Sequence, residues 1–365
     1  MESAGFRPPR TVTAVVVLGG IVLAVLGLRE LAWLVTPVAF ALVMVILVHP
    51  VHTSLVRRGV PSIVALLVLL LAIFGILLGL VAIVVYAIAR LATVLPNYFD
   101  EASAQTRELS DFLAELGVGP EQIREMVKDI DLTVVAGWLT AHIPSVVGAA
   151  ATLVLVYSLM MFVAVESAQI GTRAAAMVAD HPRLAGALAG FVANTRRYVV
   201  ITGAFAIVVG ALDSIFLLIL GIPLALLWGL LAAVCNFIPY VGFLIGLVPP
   251  ALLALLTQGW QTMLLVIVVY TLLNSIVTTY VPAKIVGDAV GMSMTVTVIS
   301  VAFWSWTLGP FGAILAIPMS LLVKAIFIDA VPSARWLAGF VDAGPRRRRP
   351  ARAVPAAGTP PAPGA

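Results

Sequence analysis

The sequence predicts an all-α polytopic membrane protein of about eight membrane segments: six spans plus two re-entrant helical hairpins, with ten plain spans as the alternative, and a small external helical insertion. Three observations predict it. The 365 residues are 62% hydrophobic and 10% charged, with mean hydropathy +1.14, whereas soluble domains run at about 45–50% apolar and about 25% charged. Apolar runs of the roughly 20 residues that a bilayer requires recur from Val12 to Ile328. The arginines gather at the ends of these runs and in a tail rather than along them.

Five spans follow directly, at 11–28, 31–49, 62–90, 144–165 and 198–220. The first begins after Arg7 and Arg10 and superficially resembles a secretory signal. It is longer than the usual apolar region of 7–15 residues, has no A-x-A-like cleavage site and leads into a second span, so it is expected to stay in the mature protein. Arg7 and Arg10 precede span one, Arg57 and Arg58 follow span two, and Arg173, Arg183, Arg196 and Arg197 lie between spans four and five. With the tail run Arg346 to Arg349, all fall on one side, which the positive-inside rule makes cytoplasmic. Both termini are therefore expected inside. Arg29 with Glu30, Arg90 and Glu166 sit at span ends as interfacial anchors.

The expected organisation is a cytoplasmic N-terminus (1–10), spans one to three (11–95), an external amphipathic insertion (96–143), a transmembrane and hairpin core (144–328) and a basic cytoplasmic tail (329–365). The insertion holds nine carboxylates from Asp100 to Asp131. Leu109, Phe112, Leu113 and Leu116, then Ile123, Met126, Val127 and Ile130, fall at helical spacing around a Gly117–Pro120 break, which predicts two short amphipathic helices packed on each other or on the membrane surface, a structural cap in preference to a ligand site. Beyond Asp342 the composition is Pro, Ala, Gly and Arg, too polar to order itself. Its arginines suit anionic headgroups, at about 1 kcal/mol each.

From Gly221 the runs shorten to 222–238, 241–257, 263–282, 290–308 and 310–328, broken by glycine and proline. The stretch from Gly221 aligns loosely with that from Gly291. Each has a glycine start, an apolar run, a proline-centred break flanked by glycine and a later proline. Read as hairpins, the first enters from outside with its tip at Asn236–Gly242, the second from inside with its tip at Leu308–Gly312, and the tips approach each other at mid-depth. Gly/Pro-interrupted segments in corresponding halves are the sequence-level pointer to a transporter site, because irregular backbone at that depth survives only when buried or lining a cavity.

Candidate site residues follow from this. Pro239 withdraws an amide proton, so carbonyls near Cys235 and Asn236 should lose their helical partners and face a solute or ion, with Tyr240 and Gly242 beside them. Asn236 serves equally well as a simple cap. Asp213 lies about two turns from the end of the fifth span. An unpaired charge at a span centre costs about 2.5–3.5 kcal/mol, so Asp213 is either an ion or proton site or is neutralised by Ser214 or a neighbouring helix. Asn274, Thr278 and Thr279 can line a polar path or bond between helices. Lys284 and Asp288 read as an exposed pair. In the second tip, Gly309, Pro310 and Gly312 complete the set of substrate- or ion-binding candidates.

No enzyme signature is present. His49, His52, His142 and His181 are scattered without metal-ligand spacing, no phosphate-cradling loop occurs, and the single Cys235 excludes an intramolecular disulfide. No cofactor or metal is expected. The net charge of +4 lacks the aromatic-interleaved face of a nucleic-acid binder.

These residues resemble the AI-2E (PerM-like) family of bacterial permeases over about 10–328. The specific elements are NFIPYVG at Asn236–Gly242, Pro249 downstream, VPAKIVGDAVGMS around Pro282 and Gly287, LGPFGAILAIP at Leu308–Pro318 and HPVHTSLVRRGVP at His49–Pro61. The resemblance implies a multi-pass protein of the bacterial inner membrane. It further implies a secondary transporter that moves a small polar solute and exports an autoinducer-2-like signal, with sodium/proton antiport as the alternative. A non-transporting scaffold is the reading of another class, against which the hairpin repeat argues. The expected partners are a small-molecule or ion substrate, the lipid bilayer and, as an open point, further copies of the chain. Asp213 and the polar residues before Asn274 depart from many relatives.

Overall fold

The computed structural model describes residues 9–94, 153–162, 177–239, 241–277 and 292–341, with isolated helical positions at 137, 141, 144 and 148. The insertion (apart from Gly137 and Ala141), the tail beyond Val341, Tyr240, Thr278, Thr279, Lys284 and Asp288 lie outside the described residues. Every regular element among the described residues is helical.

The helices are α1 (Arg10–Glu30), α2 (Ala32–Arg57), α3 (Ser62–Val94), α4 (Leu153–Phe162), α5 (Pro182–Ile219), α6 (Ala225–Cys235), α7 (Val241–Gln258), α8 (Trp260–Ser275), α9 (Met294–Leu308), α10 (Pro310–Lys324) and the short α11 (Ala338–Val341). A π-helical turn, Ala325–Asp329, extends α10. Among the described residues five helices are long and apolar enough to cross a bilayer: Thr11–Glu30, Ala32–Arg57, Ser62–Leu91, Pro182–Ile219 and Pro310–Asp329. Five shorter apolar helices accompany them. Large apolar side chains cover the outside, Leu23, Ile63, Ile207 and Ile219 among them, as lipid requires.

Two helices extend well beyond their expected spans. Helix α2 continues past the expected end at 49 through Pro50 to Arg57, and α5 starts at Pro182 rather than 198. Both extensions carry the arginines used to orient the chain, and long helices continue past the hydrocarbon wherever polar residues keep the helical period.

The C-terminal half is a set of antiparallel pairs, α5–α6, α6–α7, α7–α8 and α9–α10. Glycine makes the close ones possible. A methyl added at Gly229 of α6 would overlap Ser214 Oγ and the Gly210 carbonyl of α5. One at Gly246 of α7 would lie 2.8 Å from Ala232 Cα of α6. Without a hydrophobic force between helices in lipid, this backbone-level approach is what holds such pairs. At one end Gln258 Nε2 donates to Leu220 O (2.7 Å), which places the α5–α6 and α7–α8 turns at the same level. The opposite end carries Arg57 and Arg183 and is called the arginine end below. There Arg196 Nε donates to Ile46 O of α2 (3.4 Å).

Candidate functional site

The site is built on α5, α8 and the tip of the α6–α7 hairpin. Asp213 is wholly buried on α5, and neither carboxylate oxygen has a hydrogen-bond partner. Its neighbour Ser214 donates to Gly210 O (2.7 Å), so the serine satisfies its own helix and does not neutralise the carboxylate. Helix α8 packs on α5 and brings Tyr270, fully buried with an unpartnered hydroxyl, within electrostatic reach of Asp213. Asn274, also buried, follows Tyr270 by one turn on the same face.

The α6–α7 tip corrects one expectation. Cys235 O is not left open by Pro239. It accepts from Ile238 N (2.8 Å), and Ile238 O accepts from Gly242 N (2.9 Å). A tight turn after α6 thus supplies the donor that proline withholds. Gly242 is there because its backbone lies directly against the Cys235 carbonyl, where any Cβ would overlap. What the break leaves over is the Asn236 side chain, whose Nδ2 is buried without an acceptor. The tip reaches deep: the Phe237 ring lies 3.5 Å from where a Gly203 Cβ would stand, about 24 Å along α5 from Ile219 at 1.5 Å per residue.

The α9–α10 tip turns on a single residue. Gly309 has φ 71 and ψ −157 and both ends α9 and starts α10, with Pro310 at the first helical position. That conformation is essentially reserved for glycine. Gly312 packs on its own hairpin, where a Cβ would overlap the Trp304 carbonyl and lie 2.8 Å from Leu308 Cβ. Close α9–α10 contact thus requires glycine at this position. Trp304 Nε1 ties the pair by donating to Ser320 Oγ (2.9 Å). The tip stands beside the α1–α2 corner, with the Arg29 guanidinium carbon 4.7 Å from the Trp306 ring centroid. Ile238 of the first tip packs against the Val301, Trp304, Leu308 and Ala316 cluster of the second hairpin, so the first tip meets the second hairpin's flank.

Of the nine candidate residues, the structure buries Asp213 on α5 and Asn274 on the neighbouring α8, sets Asn236, Pro239 and Gly242 together, and holds Gly309, Pro310 and Gly312 in the neighbouring hairpin, with Tyr240 outside the described residues. Sequence reasoning missed Tyr270, Thr195 and Tyr198. Thr195 is wholly buried on α5 with its hydroxyl unpartnered, and Tyr198 lies one turn along the same face. A tyrosine or threonine in an apolar helix gives no signal until packing shows which face it occupies.

A bundle of apolar helices whose interior holds unpartnered polar groups beside a broken, glycine-packed hairpin is the architecture of a polytopic membrane protein. The chain belongs to the AI-2E family transporter family, whose model matches residues 12–331. It is 27% identical over 310 residues to the AI-2 transport protein TqsA of Escherichia coli strain K12, covering 85% of this chain and 90% of the relative. It is 24% identical over 337 residues to the putative transport protein YhhT of the same strain, covering 91% and 95%. A shorter match, 30% over 122 residues, is to the putative transport protein YrrI of Bacillus subtilis strain 168, covering 33% and 34%.

Proposed function

We propose that this permease moves a small polar solute across the bacterial inner membrane, with both termini cytoplasmic and an AI-2-like signal as the substrate to test first. The carrying observation is the α6–α7 break, which buries the unpartnered Asn236 amide at membrane depth one side-chain layer from α5. Helix α6 has 11 residues, about 17 Å, and falls short of the roughly 30 Å hydrocarbon, which supports a re-entrant first hairpin. Pro310–Asp329, by contrast, is long enough to cross. In proteoliposomes holding AI-2 or one of a panel of small polyols, efflux should exceed that of protein-free vesicles. No solute moving faster than that background defeats the reading.

The orientation has its own test. Cysteines at Arg57 and Arg183 should react with a membrane-impermeant thiol reagent only from the cytoplasm, and one at Ser103 only from outside. Labelling of Ser103 from the cytoplasm inverts the topology.

Pro239→Ala probes the break. Alanine is the better helix former by about 3 kcal/mol and restores the donor that Cys235 O lacks along a regular helix, so α6 should continue and carry Asn236 off the tip. We expect transport to fall at least about tenfold, roughly 1.4 kcal/mol of site occupancy, with yield and melting temperature retained. Unchanged transport would remove the break from the mechanism.

A further inference from the structure

We infer that one face of α5 carries a file of water from the cytoplasmic arginine end to Asp213, and that protons reach the Asp213 carboxyl along it; this rests on the permease reading and its topology. Positions 195, 198, 202, 206, 209 and 213 are spaced three or four apart, so they share a face that runs about 27 Å. Thr195 begins it, wholly buried with its hydroxyl unpartnered, beside Arg196 at the arginine end. The buried Tyr198 hydroxyl has no hydrogen-bond partner, and Thr202 follows it by one turn on the same face.

Above Thr202 the α5 face turns apolar at Ala206 and Val209, and other elements supply the polar groups. The hairpin tip lays Phe237 against Gly203 and so brings in Asn236, with its buried amide lacking an acceptor. Helix α8 runs antiparallel to α5, because the chain reverses at each of the three turns between them. Asn274, one turn beyond Tyr270, therefore falls beside Val209, and Tyr270 itself stands by Asp213. The buried side-chain atoms without partners among the described residues all belong to α5, to α8 or to the residue that ends α6. Buried polar groups without protein partners are the places where internal water is held.

Few other charges compete for the proton. Of the elements packed on α5, α6 carries only Cys235 and α8 only Tyr270 as titratable groups. Helix α10 carries Lys324, paired at 3.3 Å with Asp329 of the π turn. Helix α2 carries His49, His52 and Arg57 at the arginine end. On α5 itself Arg183, Arg196, Arg197 and Tyr198 all lie on the arginine-end side of Thr202. Asp213 is thus the one carboxyl at the head of the route among these helices.

The test needs no solute, so it can fail independently of the permease reading. Dicyclohexylcarbodiimide enters from lipid and reacts with protonated carboxyls, so only the proton's access is sided. Wild-type protein in sealed vesicles of both orientations is treated while the buffer on one face is acidified, and the Asp213 peptide is quantified by mass spectrometry, with D213N marking the background. Labelling should rise with acidification of the cytoplasmic face, by up to roughly tenfold per pH unit for a single titrating carboxyl, and stay flat when the outer face is acidified. Labelling that follows the outer pH, or neither, overturns the file.

Discussion

Asparagine at position 213 is expected to bring solute flux down to that of protein-free vesicles while the purified protein melts no lower than wild type. Both oxygens of Asp213 are buried without a donor, and a charge near the middle of a span costs about 2.5–3.5 kcal/mol. Asparagine keeps the shape and exchanges a buried charge for a buried amide, which costs less to bury. Valine, nearer to aspartate in volume than leucine and fully apolar, should raise the melting temperature further, the behaviour of a group retained for activity at a cost in stability. Flux in proteoliposomes and thermal unfolding in detergent are the paired measurements. If both fall together in D213N, the carboxylate is a structural part of the α5–α8 contact.

Gly229→Leu should do the reverse and remove the fold itself. Its Cβ would fall on the Ser214 side chain and on the Gly210 carbonyl, and the carbonyl belongs to a helix backbone that cannot move aside, so α5 and α6 must separate. Overpacking of this kind costs about 3 kcal/mol or more, enough to abolish a monodisperse peak in size-exclusion chromatography. Gly75→Leu is the control, since nothing lies within 4 Å of its Cβ position, and it should elute as wild type. Gly312→Leu belongs with Gly229 and should cut yield as well as transport. A Gly229→Leu protein that stays monodisperse and melts normally would show that the α5–α6 crossing is not held by backbone contact.

The long helices were legible because hydropathy needs no partner to be read: runs 11–28 and 62–90 lie within α1 and α3, and runs 31–49 and 198–220 lie within α2 and α5 but for the first residue of the one and the last of the other. The hairpins were legible for a related reason, since Gly309 and Pro310 dictate a turn wherever they fall. Asp213 announced itself by being charged inside an apolar run. The partners of a broken turn were not legible, because whether the Cys235 carbonyl finds Ile238 N is settled by the angle the chain takes after α6. Nor was the polar route, since Thr195, Tyr198 and Tyr270 acquire meaning only once α5 and α8 have chosen the faces they turn inward.

Helix α1 has none of its apolar window buried, and its end at Leu28 and Arg29 meets the α9–α10 hairpin. Trp306 is translated about 280 residues after Arg29, a delay of roughly 15–55 s at ordinary ribosomal speeds of about 5–20 residues per second. During that interval α1 must reside in lipid without its Trp306 clasp, so its sequence has to satisfy the insertion machinery unaided. The clasp by Trp306 then acts as a latch set near the end of synthesis, and a chain truncated before α9 would leave the first helix free to drift from the bundle and be recognised by membrane quality control.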